Sequence, residues 1–141
     1  MTRFVLDCSS TIPWFMEDEA TPFTDRIQDS LSENNEAAVP AIWVYEVANV
    51  FLISERKKRI TPEKTSQLMI LLRKLPIHVE EIPTGSILDD IMALARKHHL
   101  SSYDASYLEL AIRKELSLAT LDDDLKKAAL KEHVPLLVMY S

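Results

Sequence analysis

The sequence predicts an α/β fold of three layers, a central parallel β-sheet of about five strands flanked by helices. Short apolar runs alternate with longer amphipathic stretches along the whole chain, the pattern of a parallel sheet covered on both faces. Most of these runs are continuously apolar, as doubly buried strands are. The composition, 47% hydrophobic and 27% charged with one glycine, suits an ordered, helix-rich globule and argues against low-complexity segments. With 141 residues and no internal repeat, residues 1–141 fit one domain, long enough to bury roughly 70% of its unfolded surface.

The first strand is Arg3-Phe-Val-Leu-Asp7, apolar and ending on an acid. Ser9 to Met16 reads as a turn into a short helix, in which Ser9 either caps the helix or, on the strand period, shares a side with Asp7. Thr21-Pro22 supplies a cap and an N1 proline for a helix with Phe23, Ile27 and Leu31 on one stripe. A polar loop, 32–36, leads to a strand at Ala37-Ala-Val39. The helix that follows is apolar almost all round and is expected to be buried, ending in the basic run Arg56-Lys-Lys-Arg59. Thr61-Pro62 opens another helix, its buried face Leu68, Leu71, Leu72 and Leu75, stopped by Pro76. Ile77 to Ile82 alternates like a half-exposed edge strand, and Thr84 caps a helix with the stripe Ile87, Ile91, Leu94, His98. A helix from Ser101, a strand over Leu116–Leu121, a helix over Asp122–Leu130 with Leu125, Ala129 and Leu130 inward, and a strand at Pro135–Met139 complete the chain.

Four acids stand where such a fold gathers chemistry. Asp7 and Asp122 end apolar strands, and in an open parallel sheet ligands bind beyond the carboxyl ends of the strands. Asp104 heads a helical stripe continued by Leu108 and Ala111, an odd place for an unpaired charge; a cap by Ser101 with a variant capping box is the simpler account. Glu46, with Asn49 at i+3, is a polar stripe on an apolar helix and is expected to face something polar inside the protein.

Val5-Leu-Asp-Cys-Ser9, Tyr45-Glu-Val-Ala-Asn49, Ser102-Tyr-Asp-Ala-Ser-Tyr-Leu108 and Leu118-Ala-Thr-Leu-Asp-Asp-Asp-Leu125 occur in an order that resembles PIN-domain ribonucleases, and among them the VapC toxins of toxin-antitoxin systems. Glu109 departs from the small or apolar residue many members carry there, and the run Asp122-Asp123-Asp124 leaves open which aspartate faces the site. The resemblance implies a type II toxin that hydrolyses RNA phosphodiesters to a 5′-phosphate and a 3′-hydroxyl, a cognate VapB-like antitoxin and a homodimer. It assigns Asp7 and Asp104 as principal metal ligands, Asp122 as ligand or water-holder, Glu46 as outer-sphere ligand or base, and Ser9, Asn49 and Thr120 as supporting or substrate-facing residues.

Converging carboxylates repel one another unless a cation neutralises them. All-oxygen ligands favour Mg²⁺, with Mn²⁺ able to substitute, over zinc. His98-His99 is not a metal pair, because adjacent residues do not share a helix face; both read as helix-end cations. Cys8 cannot form an internal disulfide, has no cation nearby in sequence to activate it and reads as a small core residue. The N-terminus lacks a leader pattern and no run is long enough to span a membrane, which points to the cytoplasm. A net charge of −6 is offset locally by Arg56 to Arg59 with Lys126, Lys127 and Lys131. Apolar surface for a dimer or an antitoxin is expected near Trp14, Phe15, Trp43 and Phe51. A phosphotransfer receiver lacks its lysine in the last strand; the alternative is a catalytically inactive PIN-like module that binds RNA or protein, whose mark would be a missing acid, and none is missing.

Overall fold

The computed structural model describes residues 2–137, apart from the side chain of Glu17. Its elements are β1 (Arg3–Leu6), α1 (Cys8–Thr11), two short 3₁₀ turns (Ile12–Trp14 and Glu17–Glu19), α2 (Pro22–Leu31), β2 (Glu36–Val39), α3 (Ile42–Arg56), α4 (Pro62–Arg73), β3 (Ile77–Val79), α5 (Ser86–His98), α6 (Ser102–Lys114), β4 (Ser117–Ala119) and α7 (Asp123–Lys131). Among the described residues the sheet has four strands, all parallel, in the order β3-β2-β1-β4. Leu136 adds one isolated parallel bridge to Leu118, so five strands is one more than the described sheet; Val138 and Met139 of the expected fifth strand lie outside the described residues.

Consecutive residues of β1, Phe4, Val5 and Leu6, are all buried, as are Ala37 to Val39 in β2 and Leu118 with Ala119 in β4. Successive strand side chains point to opposite faces, so unbroken burial means that both faces are covered. The edge strand β3 is shorter and more open than its alternation predicts: it ends at Val79, and His78 and Val79 are both exposed. The chain builds outward from β1 to β2 to β3, then returns to place β4 on the opposite side of β1. The topological switch point therefore falls between β1 and β4, where such sheets open a crevice at their carboxyl edge. Helix α6 packs on both of these strands, and its residues Ala105 to Ala111 are buried without interruption.

Three helix faces differ from the periodic reading. Helix α3 buries one stripe, Trp43, Val47, Phe51 and Ser54, and exposes Val44, Tyr45, Leu52 and Ile53. The exposed apolar surface is thus not at Trp43 and Phe51, which are core residues, nor at Trp14 and Phe15, which pack partly buried against it. Leu71 and Leu130 are exposed at 56% and 62%, because one apolar face is all the neighbouring layer covers. Gly85 with φ 60° rather than Thr84 stands at the N-cap of α5. At its other end the His98 ring, nearly enclosed, meets Glu132 at 2.7 Å and Lys97 reaches the same carboxylate at 2.6 Å, tying α5 to the end of α7. No helix of the described residues is long and apolar enough to cross a membrane.

Candidate active site

Asp7 follows β1 at the switch point and continues the ladder through its N–H to the Ala119 carbonyl. It is also the N-cap of α1: the Ser10 N–H donates to its Oδ1 at 3.0 Å. Ser9 is therefore neither the cap nor part of an extended strand. It lies in the first turn of α1, from which its hydroxyl still donates to Asp7 Oδ1 at 2.8 Å. The Thr120 hydroxyl donates to the other oxygen of Asp7. Two backbone donors close the seam: Leu121 N–H to Ser9 Oγ and Asp122 N–H to Thr120 Oγ1, both at 3.0 Å. Ser9 and Thr120 thus bolt the end of β1 to the end of β4.

Asp7 is 4% exposed, and burial pushes its carboxyl up to about 6. The hydrogen bonds from Thr120, Ser9 and Ser10 pull the other way without compensating, and the charge of Asp104 adds to the rise. Asp104 sits in the first turn of α6, where the Ser101 hydroxyl accepts its N–H at 3.0 Å. The cap belongs to the serine and leaves the Asp104 carboxylate in the crevice. Burial raises its pKa, followed by the charges of Asp122 and Asp124, with Ser101 opposing. Of the aspartate run, Asp122 and Asp124 are the two that act on Asp104. Asp122 caps α7, its Oδ2 accepting the Leu125 N–H at 2.8 Å.

Glu46 comes from α3, and its carboxyl is raised first by burial and then by Asp104, while a hydrogen bond from Tyr107 opposes. That bond, Tyr107 O–H to Glu46 Oε1 at 2.5 Å, joins α6 to α3 across the crevice. Tyr107 is 1% exposed, and burial together with Glu46 holds its proton in place well beyond the ordinary phenol range. Tyr107 stands in a sequence motif that assigns it no role; its one local signal is the i+3 spacing from Asp104, which sets the phenol one turn along from the acid. Asn49 does not join the four acids. It is exposed and lines a shallow depression with Tyr45, Glu46 and Tyr103. Cys8 borders the acids, and burial, Glu46 and Asp7 push its thiol up to about 12, so it stays protonated and inert.

The structure thus brings Asp7, Glu46, Asp104 and Asp122 to one edge, with Asp104 as the electrostatic hub. Among the described residues, every charge that shifts Asp7, Glu46 and Asp104 is another acid. Among the described residues no three His, Cys, Asp or Glu side chains close around a single point in the way a fully protein-ligated metal needs. The donor set nevertheless fits a hard divalent cation of the Mg²⁺ type, which takes oxygen, is held by one or two carboxylates and keeps several waters. The protonated Cys8 thiol offers no competing soft ligand.

The sequence matches the family model for the PIN domain over residues 4–131. It is 27% identical over 123 residues to ribonuclease VapC3 of Pyrobaculum aerophilum, covering 87% of this chain and 92% of that protein. Its fold is shared with VapBC2 of Rickettsia felis, solved bound to a DNA fragment from its promoter, at a TM-score of 0.68 and 15% identity over 96% of this chain and 98% of that one. It is shared also with the Mycobacterium tuberculosis VapC20, a sarcin-ricin loop cleaving toxin, at 0.66 and 15% identity over 89% and 94%. With a family match across nearly all of the chain, a parallel sheet in this order and four acids at its switch point, this protein belongs to the PIN domain family, and the relatives it resembles are VapC proteins.

Proposed function

We propose that the protein is a metal-dependent endoribonuclease, the toxin of a type II toxin-antitoxin pair. The observation that carries this reading is the group of four acids at the switch point, where among the described residues the charges that raise Asp7, Glu46 and Asp104 all come from other acids. Such a group is stable in its ionised form only with a cation from outside.

A divalent cation, when bound, supplies charge neutralisation and Lewis acidity at the scissile phosphate. Asp7 and Asp104 hold it, and Asp122 serves as a further ligand or orients a water. Asp7 is fixed for this task at both oxygens by Ser9, Ser10 and Thr120. Glu46 has Oε1 occupied by Tyr107, which leaves Oε2 to orient the attacking water and take its proton. Its raised pKa makes it a better proton acceptor than an ordinary glutamate. Hydrolysis then yields a 5′-phosphate and a 3′-hydroxyl. In the cell the antitoxin inhibits by seating a basic side chain or tail among the acids, and the toxin is a homodimer that uses exposed apolar surface such as Val44, Tyr45 and Leu52 of α3.

The decisive experiment is cleavage of RNA by purified protein. Activity is expected with Mg²⁺ or Mn²⁺, lost in EDTA and not restored by zinc; full cleavage in EDTA sinks the reading. Expression alone is expected to arrest growth, with rescue by the antitoxin, and undiminished cleavage by a saturated complex would refute the proposed inhibition. Light scattering on the purified chain tests the dimer.

A further inference from the structure

A groove of about 600 Å³ adjoins the acids. Ser9 and Leu121 line it, and these two residues are hydrogen-bonded to each other beside Asp7. Ile12 and Ile53 give it apolar wall, and Lys57 and Arg59 line it as well. The basic run is therefore more than a solvated helix end. Lys58 adopts φ 59°, the Lys58 N–H bonds the Glu55 carbonyl and the Arg59 N–H bonds the Ser54 carbonyl, a Schellman turn that folds Arg59 back toward the groove. Arg59 does not stand free there. Its Nη2 meets Asp18 at 2.9 and 3.2 Å and lies 3.8 Å from Glu19, itself a lining residue. Lys57 has no carboxylate partner among the described residues.

We propose that this groove holds the RNA strand flanking the scissile phosphate, with Lys57 on a neighbouring phosphate and Arg59 on the same strand once it exchanges Asp18 for a phosphate oxygen. The inference rests on the ribonuclease reading above for the position of the scissile bond. Two cations beside the acids of a chain with net charge −6 match a polyanion and repel a basic peptide. The Asp18–Arg59 pair is exposed on both sides, 72% and 43%, and pairs of that kind are weak enough to be exchanged. Asp18 then acts as a competitor of the substrate, an acid that holds Arg59 until phosphate takes it.

The test is steady-state cleavage of a short unstructured oligoribonucleotide, together with fluorescence anisotropy of the same RNA, as salt is varied. Lys57→Ala and Arg59→Ala are each expected to raise KM about fivefold with kcat unchanged and to reduce the salt slope by about 0.7. Asp18→Asn is expected to lower KM about twofold, an advantage that disappears in Asp18→Asn/Arg59→Ala. Lys64→Ala, on the exposed face of α4, controls for net charge and melting curves control for folding. Unchanged KM and RNA affinity in both groove variants, with the wild type cutting RNA, overturns the proposal and leaves the ribonuclease reading intact. Absence of cleavage in the wild type, with RNA affinity still falling in Lys57→Ala and Arg59→Ala, supports the groove and removes the ribonuclease. If the two variants alter only inhibition by the antitoxin, the groove is a protein-binding surface and the proposal fails. An Asp18→Asn enzyme identical to wild type overturns the exchange at Arg59.

Discussion

Two buried acids in this protein are handled in opposite ways. Glu109 on α6 is 5% exposed and receives both an Nε and an Nη2 bond from Arg113, one turn on, at 2.8 and 3.2 Å. Asp7 is 4% exposed and receives only hydroxyls and an amide, with Asp104 as its charged influence. A buried carboxylate without a cation raises its pKa, whereas one with a bidentate arginine is neutralised internally. The chain thus compensates Glu109 with its own arginine and, among the described residues, gives Asp7 no cation. Glu109 is an arginine-paired acid of the helix and not a fifth member of the group of acids.

The largest expected effect breaks the uncompensated region at its hub. Asp104→Asn should reduce metal-dependent cleavage at least about a hundredfold, the scale of losing a positioned catalytic group, while metal-free melts show equal or greater stability because repulsion is removed. A mutant that loses stability in EDTA and keeps the full Mg²⁺ response would instead make Asp104 a helix-start residue. Next is pH. Asp7 has a folded pKa of about 6 against 3.8 for the ordinary side chain. The folded state then holds the proton more tightly, so stability of the metal-free protein falls as pH rises from about 4 to about 6, by roughly 3 kcal/mol in all. Urea titrations across that window should show the decline, and Asp7→Asn, which keeps a competent N-cap, should flatten it.

Saturating Mg²⁺ should offset that cost. At a hundredfold excess over Kd it adds about 2.7 kcal/mol to the wild type and much less to Asp104→Asn, read as a shift in melting temperature. The compensated region should respond in the opposite sense: Arg113→Ala leaves the buried Glu109 carboxylate without its partner and should cost about 2 kcal/mol, with no rescue by Mg²⁺. A metal-dependent recovery in that variant would erase the distinction between the two acids. The smallest effect is at Glu132, whose carboxyl Lys97 and His98 hold below the usual range. Its contribution is present above the unfolded pKa and lost as pH falls through the folded one, so Glu132→Gln should soften only the acid limb of the stability profile.

The acids were legible because strand ends and helix starts are local features: an apolar run stopping on Asp7 or Asp122, and Asp104 heading the stripe of Leu108 and Ala111, need no knowledge of the rest of the chain. Ser9 was recoverable for the same reason, although it reaches Asp7 from a helical turn and not along a strand; Thr120 is marked only by the family resemblance. What local patterns lacked was the extent of coverage. Helix α3 is apolar nearly all round, yet its neighbours cover a single stripe, so Asn49 and Tyr45 face outward while Trp43 and Phe51 are enclosed. Tyr107 and Glu46 are 61 residues apart, and their bond depends on how two helices cross. The Arg59 turn likewise depends on Lys58 entering the left-handed region, which a lysine gives no sign of doing.

Asp122 starts a helix with the same carboxylate whose charge acts on Asp104, so the cap and the crevice share a single group. The Leu125 amide bound to it at 2.8 Å becomes a built-in gauge of the crevice. Hydrogen exchange at that amide depends on how firmly Asp122 stays in its capping position. A cation or a basic side chain that draws the carboxylate away should accelerate exchange at Leu125, and one that leaves the cap in place should slow it. Occupancy of the acids is thereby written into the protection of a backbone proton outside the crevice, where it can be followed without a substrate.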